Sequence, residues 1–156
     1  MDRPLRITVV GGSRCDEETA SLAEQIGREI ARGGGVLVCG GLGGVMEAAC
    51  RGASAAGGLT VGILPGVDAA SANEHVAIPV PTGMGDARNV INVRAGDAVI
   101  AVKGSHGTLS EIAVALGRNI PVVAVDSWDN MDGVEQADDA SMAVERALEL
   151  ARARSR

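Results

Sequence analysis

The stretch LRITVVGGS at residues 5–13 decides the fold, because a short apolar run ends there in a glycine-rich turn. A run of this length that is rich in β-branched side chains is typical of a buried strand. The segment behind the turn has helical periodicity, since Leu22, Ile26 and Ile30 recur every four residues. A strand, a tight turn and an amphipathic helix together form the first half of a βαβ unit.

The same alternation continues along the chain. Further strands are predicted at residues 36–39, 59–64, 76–80, 97–102 and 121–125. Helices are predicted at residues 17–31, 45–56, 86–94 and 141–152, with another that follows a turn at 103–108 and ends near Leu116. Residues 127–139 are predicted to be a polar surface segment. This order predicts an α/β fold, a three-layer Rossmann-like doubly wound parallel sheet, with residues 1–156 as a single domain.

Composition restricts the classes of partner. The formal net charge of −6 argues against a general nucleic-acid binder, which needs a basic surface. One Trp and no Phe or Tyr leave few platforms on which single-stranded bases could stack. No apolar stretch approaches the roughly 20 residues that cross a bilayer, so no membrane partner is expected.

The cysteines and histidines point to a reducing compartment and to no metal. Cys15, Cys39 and Cys50 are an odd number without a CxxC pair, which argues against a disulfide framework. His75 and His106 are not in a metal-ligand spacing. With no secretory signal recognisable near the amino terminus, a cytoplasmic location is expected.

Three glycine-rich turns follow predicted strands, at residues 11–14, 40–44 and 103–108. In doubly wound sheets, ligands bind outside the carboxyl ends of the strands, where the strand order reverses. If strand 97–102 lies beside strand 5–10, the three turns converge at one rim, where backbone N–H groups can hold a phosphate. For any one loop, the simpler interpretation is that glycine permits a tight turn. The convergence of three favours phosphate binding. The candidate binding residues in these turns are Gly11, Gly12, Ser13, Gly40, Gly41, Gly43, Lys103, Gly104, Ser105, His106, Gly107 and Thr108.

Other polar residues near these turns have two interpretations each. Glu111 and Glu47 can face the rim, or can be carboxylates favoured near a helix amino terminus. Arg88 can clamp a phosphate, or be a solvated helix residue, and His106 can carry a proton or be an exposed polar side chain. No GxxxxGK[ST] motif and no GxGxxG motif after the first strand are present, which argues against a Walker-type NTPase and a dinucleotide-dependent redox enzyme.

Two segments resemble the motifs of the LOG and lysine-decarboxylase-like superfamily. CGGLGGVME at residues 39–47, which includes Met46, resembles its GGxxGxME segment, and KGSHGTLSE at residues 103–111 resembles its PGGxGTxxE motif. Arg88 and Asn89 stand where that family has an Arg-Lys pair. The resemblance runs from about residue 7 to 125.

Within the superfamily, VGILPG at residues 61–66, ARNVIN at 87–92 and GTLSEIA at 107–113 resemble the molybdenum-cofactor carrier proteins and their relatives. The resemblance implies a nucleotide-like or pterin-phosphate ligand at the rim, bound by Met46, Arg88, Asn89 and Glu111 together with the glycine-rich turns. By position, Arg88 and Glu111 would be the catalytic pair of a LOG-type enzyme. Lys103, Ser105 and Asn89 depart from the enzyme pattern, which weakens the expectation of hydrolysis more than that of binding.

Three functions therefore remain open: a carrier, a hydrolase and a nucleotide sensor. The first is a carrier that binds the molybdenum cofactor or a nucleoside monophosphate. The second is a nucleoside-5′-monophosphate phosphoribohydrolase, in which Glu111 assists the attack of water and Arg88 positions the substrate. No cofactor is expected to be required for folding. The family resemblance implies a homodimer or homotetramer, and the small-residue helix 45–56 is the candidate interface.

Overall fold

The computed structural model describes residues 3–128 and 130–155, in which seven parallel strands form one sheet. The strand order is β4-β3-β2-β1-β5-β6-β7. The strands are β1 (Arg6–Gly11), β2 (Val36–Cys39), β3 (Thr60–Leu64), β4 (Ile78–Pro81), β5 (Ala98–Val102), β6 (Val122–Val125) and β7 (Val134–Gln136).

Helices cover both faces of the sheet. They are α1 (Glu17–Arg32), α2 (Val45–Ala55), α3 (Arg88–Ala95), α4 (His106–Gly117) and α5 (Ala140–Arg154), with short 3-10 turns at Ala69–Ser71 and Gly85–Ala87. Helices α1, α2 and α5 share one apolar core with the sheet, and α3 and α4 cover the opposite face. This arrangement confirms the predicted three-layer, doubly wound fold. Among the described residues, no helix combines the length and apolar character that a membrane span requires.

One strand was not predicted. The segment 127–139, expected to be polar surface, contains the edge strand β7, in which Val134 pairs with Val122 of β6. β7 has three residues and only Val134 among them is apolar, so it carries no periodicity that sequence analysis can detect. Asp129 of the same segment lies outside the described residues.

The strand order reverses between β1 and β5. These strands pair in parallel from Ile7 with Ala98 to Gly11 with Val102. Chain connections run outward from β1 on one side, through β2 and β3 to β4, and from β5 on the other side, through β6 to β7. The loops that follow β1 and β5 therefore begin side by side at the carboxyl edge of the sheet, which is the position that open α/β sheets use for ligands.

A buried carboxylate fixes the opposite end of the same strand pair. Asp97, which precedes β5, accepts hydrogen bonds from Arg3 Nη1 and Nη2 at 2.7 and 2.6 Å and from the Arg6 backbone N–H at 2.8 Å. Although burial opposes its ionisation, these donors hold the pKa of Asp97 below its usual range. The charged side chain therefore ties the amino end of β5 to that of β1.

Helices α1 and α2 cross at glycines. A Cβ atom at Gly27 would overlap the backbone oxygen of Ala49, and one at Gly52 would overlap that of Glu24. The small residues of α2 are thus used within the chain, against α1. The small residues that made this helix the candidate interface are therefore accounted for by packing inside the chain, where close approach needs small side chains just as it does between subunits.

Substitution of Gly52 tests this close crossing of α1 and α2. Alanine at this position is expected to reduce the free energy of unfolding by about 1–3 kcal/mol, because the backbones must separate to admit the methyl group. Chemical denaturation followed by circular dichroism measures the change. Gly117 is the matched control, because it also lies in a helix and has open space around it. Gly117→Ala should be neutral or stabilising by up to about 1 kcal/mol, and equal stability of the two variants would contradict the close crossing.

Candidate functional site

Three loops meet at the carboxyl edge of the sheet. The Val45 backbone N–H at the start of α2 donates to Gly12 O at 3.0 Å, which joins the loop after β2 to the loop after β1. A Cβ atom at Gly11 would lie 2.7 Å from Val45 Cγ1 and 2.8 Å from Val102 O, so the absence of a side chain here lets the ends of β1 and β5 and the start of α2 come close together. The convergence predicted from the three glycine-rich turns is therefore present in the structure.

Two adjoining clefts open between these loops. The inner cleft has a volume of about 160 Å³ and the outer cleft about 380 Å³, and both are lined by Gly12, Ser13 and Ser105. Of the residues predicted to bind ligand, the inner cleft is lined by Gly11, Gly12, Ser13, Gly40, Met46, Arg88, Asn89, Ser105, Gly107, Thr108 and Glu111. Lys103 and Gly104 line the outer cleft.

Three predicted residues lie apart from both linings: Gly41, Gly43 and His106. Gly41 has a structural task, because its φ of 76° favours glycine and its backbone N–H donates to Cys39 Sγ at 3.3 Å. Sequence analysis missed Asn92 in the inner cleft and Cys15, Asp16 and Thr19, among others, in the outer cleft. Asn92 could have been found from its spacing, since it lies one helical turn after Arg88.

The amino ends of α2 and α4 face the clefts without side-chain caps. Gly44, which has no side chain, and Ser105 occupy their N-cap positions, and no side-chain capping hydrogen bond forms at either. In contrast, α1 and α5 are capped by the carboxylates of Asp16 and Asp139. Uncapped first-turn N–H groups and the positive end of the helix dipole attract an anion. The two helix ends that meet the inner cleft are therefore suited to a phosphate.

Arg88 supplies the cation of the inner cleft. It begins α3, and its guanidinium packs against Gly40 so closely that any Cβ atom there would overlap Nη1. Within the described part of the chain, Arg88 forms no ion pair, and its buried Nε atom has no hydrogen-bond partner. The guanidinium is thus available to an anionic ligand, and glycine at position 40 is what makes room for it.

Glu111 is a buried carboxyl group in the same cleft. It is 8% exposed, and Asn92 Nδ2 donates to its Oε2 atom at 3.1 Å. Burial raises the pKa of Glu111 to about 7, although Asn92 and the charge of Arg88 act in the opposite direction. A carboxyl group with a pKa near neutrality can accept or donate a proton at physiological pH.

A hydrogen bond from β1 holds the Asn92 backbone in place. Thr8 Oγ1 of β1 donates to the Asn92 backbone oxygen at 2.9 Å, and the Asn92 side chain is almost fully buried. Its Oδ1 atom has no hydrogen-bond partner among the described residues. At the inner cleft, the Glu111 carboxyl group therefore accepts a hydrogen bond from Asn92 Nδ2, whereas Asn92 Oδ1 accepts none from the described residues.

The Lys103 side chain lies near two acidic residues and does not line the inner cleft. Its Nζ atom lies 3.4 Å from Asp126 Oδ2 and 3.8 Å from Asp16 Oδ2, and it is partly exposed beside the outer cleft. The two carboxylates raise the pKa of Lys103 and offset its charge locally. The cation that the sequence adds to this loop is therefore largely compensated by acidic neighbours.

The three cysteines occupy different environments. Cys39, at the end of β2, and Cys50, on α2, are buried thiols with sulfur atoms 3.4 Å apart. The neighbouring Cys39 thiol and, after it, burial raise the pKa of Cys50. Cys15 is exposed and lines the outer cleft.

Comparison with known proteins shows which family and fold this chain shares. The model of the LDcluster4, or SLOG cluster4, family matches residues 4–153. An uncharacterized protein of Archaeoglobus fulgidus is 51% identical over 139 residues, which cover 85% of this chain and 91% of the relative. The cytokinin riboside 5′-monophosphate phosphoribohydrolase of Mycobacterium tuberculosis is 36% identical over 129 residues, 75% of this chain and 67% of that enzyme.

Two solved structures share the whole fold. The molybdenum cofactor binding protein of Rippkaea orientalis superposes with a TM-score of 0.89 at 36% identity, over 95% of this chain and 98% of that chain. The Moco carrier protein of Chlamydomonas reinhardtii gives a TM-score of 0.88 at 34% identity, over 97% and 99% of the two chains. The resemblance that the sequence motifs indicated is thereby confirmed.

The burial of Glu111 predicts a pH-dependent stability. Because its pKa in the folded chain lies above the unfolded value, folding binds a proton, and stability falls as the pH rises from about 4.5 to about 7. Glu111→Gln removes this dependence and keeps an acceptor for Asn92. The variant should match the wild type near pH 5 and exceed its free energy of unfolding by roughly 1–3 kcal/mol at pH 8.

Chemical denaturation at pH 5, 6, 7 and 8 measures this gap. Glu145→Gln, on the exposed face of α5, removes the same charge outside the clefts and should leave the pH profile unchanged. A gap between Glu111→Gln and the wild type that does not widen with pH would contradict a buried carboxyl group with a raised pKa.

Proposed function

Because this chain belongs to the SLOG cluster4 family, we propose that it binds a phosphorylated pterin or nucleotide-like ligand, in the manner of a molybdenum-cofactor carrier. The observation that carries the proposal is the meeting of two uncapped helix amino ends with Arg88 at the inner cleft. Backbone N–H groups and a guanidinium are the donors that a phosphate prefers in proteins. The similarity to two molybdenum-cofactor proteins over nearly the whole chain supports the same ligand class.

The residues of the clefts fit both parts of such a ligand. The phosphate would lie at the first turn of α4, with Ser13, Ser105 and Arg88 as additional donors. The ring system, with its N–H donors, would meet the acceptors of Glu111 and Asn92, since the Asn92 Oδ1 atom otherwise lacks a partner. The inner cleft alone is small, so a ligand of this size would extend into the outer cleft past the shared residues Gly12 and Ser105.

A second function is favoured by Glu111. A carboxyl group with a pKa of about 7 beside an arginine can act in proton transfer during cleavage of an N-glycosidic bond. A nucleoside 5′-monophosphate and water would yield the free base and ribose 5-phosphate, with Glu111 activating the water and Arg88 holding the phosphate. Asn89, which replaces the lysine of the enzyme motif, removes a cation from this site and favours binding over hydrolysis.

One experiment separates the two functions. Small molecules released from the purified protein are identified by mass spectrometry, and the protein is incubated with AMP while free adenine is measured. For a carrier, we expect a retained pterin phosphate or an intact nucleotide and no adenine. Adenine released by the wild type and by Glu145→Ala, but not by Glu111→Ala, would contradict the carrier function and establish the hydrolase.

We further propose a homo-oligomer that uses the β4 edge and α3. Six of the eight exposed large apolar side chains of the described residues lie between residues 67 and 91, namely Val67, Ile78, Val80, Met84, Val90 and Ile91. Exposed apolar residues concentrated in one region favour a protein interface. Because Pro79 and Pro81 of β4 lack N–H donors, a partner would pack on these side chains rather than extend the sheet.

The interface proposal predicts that Val80→Glu combined with Met84→Glu lowers the oligomeric state, because two charges would be buried at the contact. Light scattering coupled to size exclusion measures the mass. Met142→Glu is the control, since Met142 is equally exposed on α5, outside the segment 67–91. A wild type that is monomeric at high concentration, or a double variant that keeps the mass of the wild type, would contradict this interface.

A further inference from the structure

A group of metal-ligating side chains lies beside the ligand loops and outside both clefts. The carboxylates of Glu47 and Glu74 and the imidazole of His75 each place one ligand atom within 4.8 Å of the other two. His75 Nε2 is 3.8 Å from Glu74 Oε1. Glu47 belongs to the first turn of α2, whereas the other two precede β4, so two separate segments converge on one point.

The charge of Glu47 is left without its usual partner. Arg51 follows it by four residues on α2, which is the favoured spacing for a helical ion pair. Arg51 Nε instead binds Glu24 Oε2 of α1 at 3.2 Å. In the described part of the chain, neither Glu47 nor Glu74 forms an ion pair with an arginine or lysine. The two carboxylates and the imidazole therefore form a cluster in which neither carboxylate is paired with an arginine or lysine of the described residues.

The position of His75 is fixed by its backbone. Thr60 Oγ1 of β3 donates to His75 O at 2.6 Å, and the His75 N–H donates to Asn73 Oδ1 at 3.0 Å. Asn73 is itself anchored to the glycine-rich loop 40–44, because its Nδ2 atom donates to Leu42 O at 2.9 Å. The imidazole is thus carried on a rigid support that is joined directly to the loop preceding α2.

We propose that Glu47, Glu74 and His75 form a binding site for a divalent transition-metal ion of the Zn²⁺ class. One imidazole nitrogen and two carboxylate oxygens suit such an ion better than Ca²⁺ or Mg²⁺, which prefer oxygen ligands alone. Bonds of about 2.1 Å place tetrahedral ligands about 3.4 Å apart, so side-chain movements of roughly 1 Å complete the coordination. The exposed position of Glu74 leaves the fourth ligand position open to water.

The ion would connect the segment before β4 to the amino end of α2. Asn73 already links that segment to the loop 40–44 through Gly41 O and Leu42 O. Metal binding would therefore hold the same loop that carries Gly40, against which the Arg88 guanidinium packs. This inference does not depend on the identity of the ligand in the clefts.

The test titrates the full chain, freed of metal with a chelator, with zinc chloride in an isothermal calorimeter. We expect one ion per chain, and at least about tenfold weaker binding for Glu47→Gln, His75→Ala and Glu74→Gln. Zinc should also raise the melting temperature of the wild type and have little effect on that of the variants. Glu74 is 82% exposed in its side chain, so Glu74→Gln tests the site without risk to folding.

His106→Ala and Glu145→Gln are the controls. They alter the other histidine of the chain and an exposed carboxylate on α5, and both should bind zinc as the wild type does. Equal zinc affinity in all variants would overturn the site. So would a wild type whose melting temperature does not rise with zinc.

Discussion

The parallel pairing of β1 with β5 is the constraint on which the rest of the structure depends. These strands are distant in sequence and adjacent in space, and the strand order reverses between them. Buried Asp97 binds Arg3 and the Arg6 backbone at one end of the pair, which fixes the register. At the other end, the same register brings the loop after β1 against the loop after β5, and α2 closes the group through the hydrogen bond from Val45 to Gly12. The clefts exist because this pairing sets two loops side by side and the third loop joins them at Gly12.

Glu111 is the residue of the inner cleft whose burial most clearly lowers the stability of the unliganded fold. A carboxyl group that is 8% exposed and has only one hydrogen-bond donor loses more hydration than it regains, and its pKa rises to about 7 for that reason. A ligand that donates to Glu111 and to the unpartnered Asn92 Oδ1 would recover part of this free energy. Residues that bind ligands or take part in reactions commonly make the unliganded fold less stable than other side chains would at the same positions. The strain at Glu111 is thus of the kind expected of a functional residue, whether it binds or transfers a proton.

Sequence analysis predicted the alternating elements and the convergence of the glycine-rich turns, because strong apolar periodicity and glycine clusters are local signals. It could not find β7, whose three residues contain a single apolar side chain. It placed the small residues of α2 at a subunit interface, since nothing local distinguishes contact with α1 from contact with another chain. The spacing of the histidines likewise predicted no metal site, and the site proposed above combines His75 with Glu47, which lies 28 positions earlier in the chain. What sequence analysis missed is formed by long-range contacts.

The acidic character of the chain and the proposed anion-binding site are compatible because their fields act over different distances. The net charge of −6 is distributed over the molecule, and salt screens exposed charges beyond about 10 Å. The N–H groups of the first turns of α2 and α4 act only at contact distance, and their dipoles add no net charge. Lys103, the one lysine, is held by Asp16 and Asp126, so the inner cleft relies on Arg88 and the backbone instead. Such a site recognises a phosphate by the direction of its donors, and the acidic surface around it disfavours polyanions that approach with many charges at once.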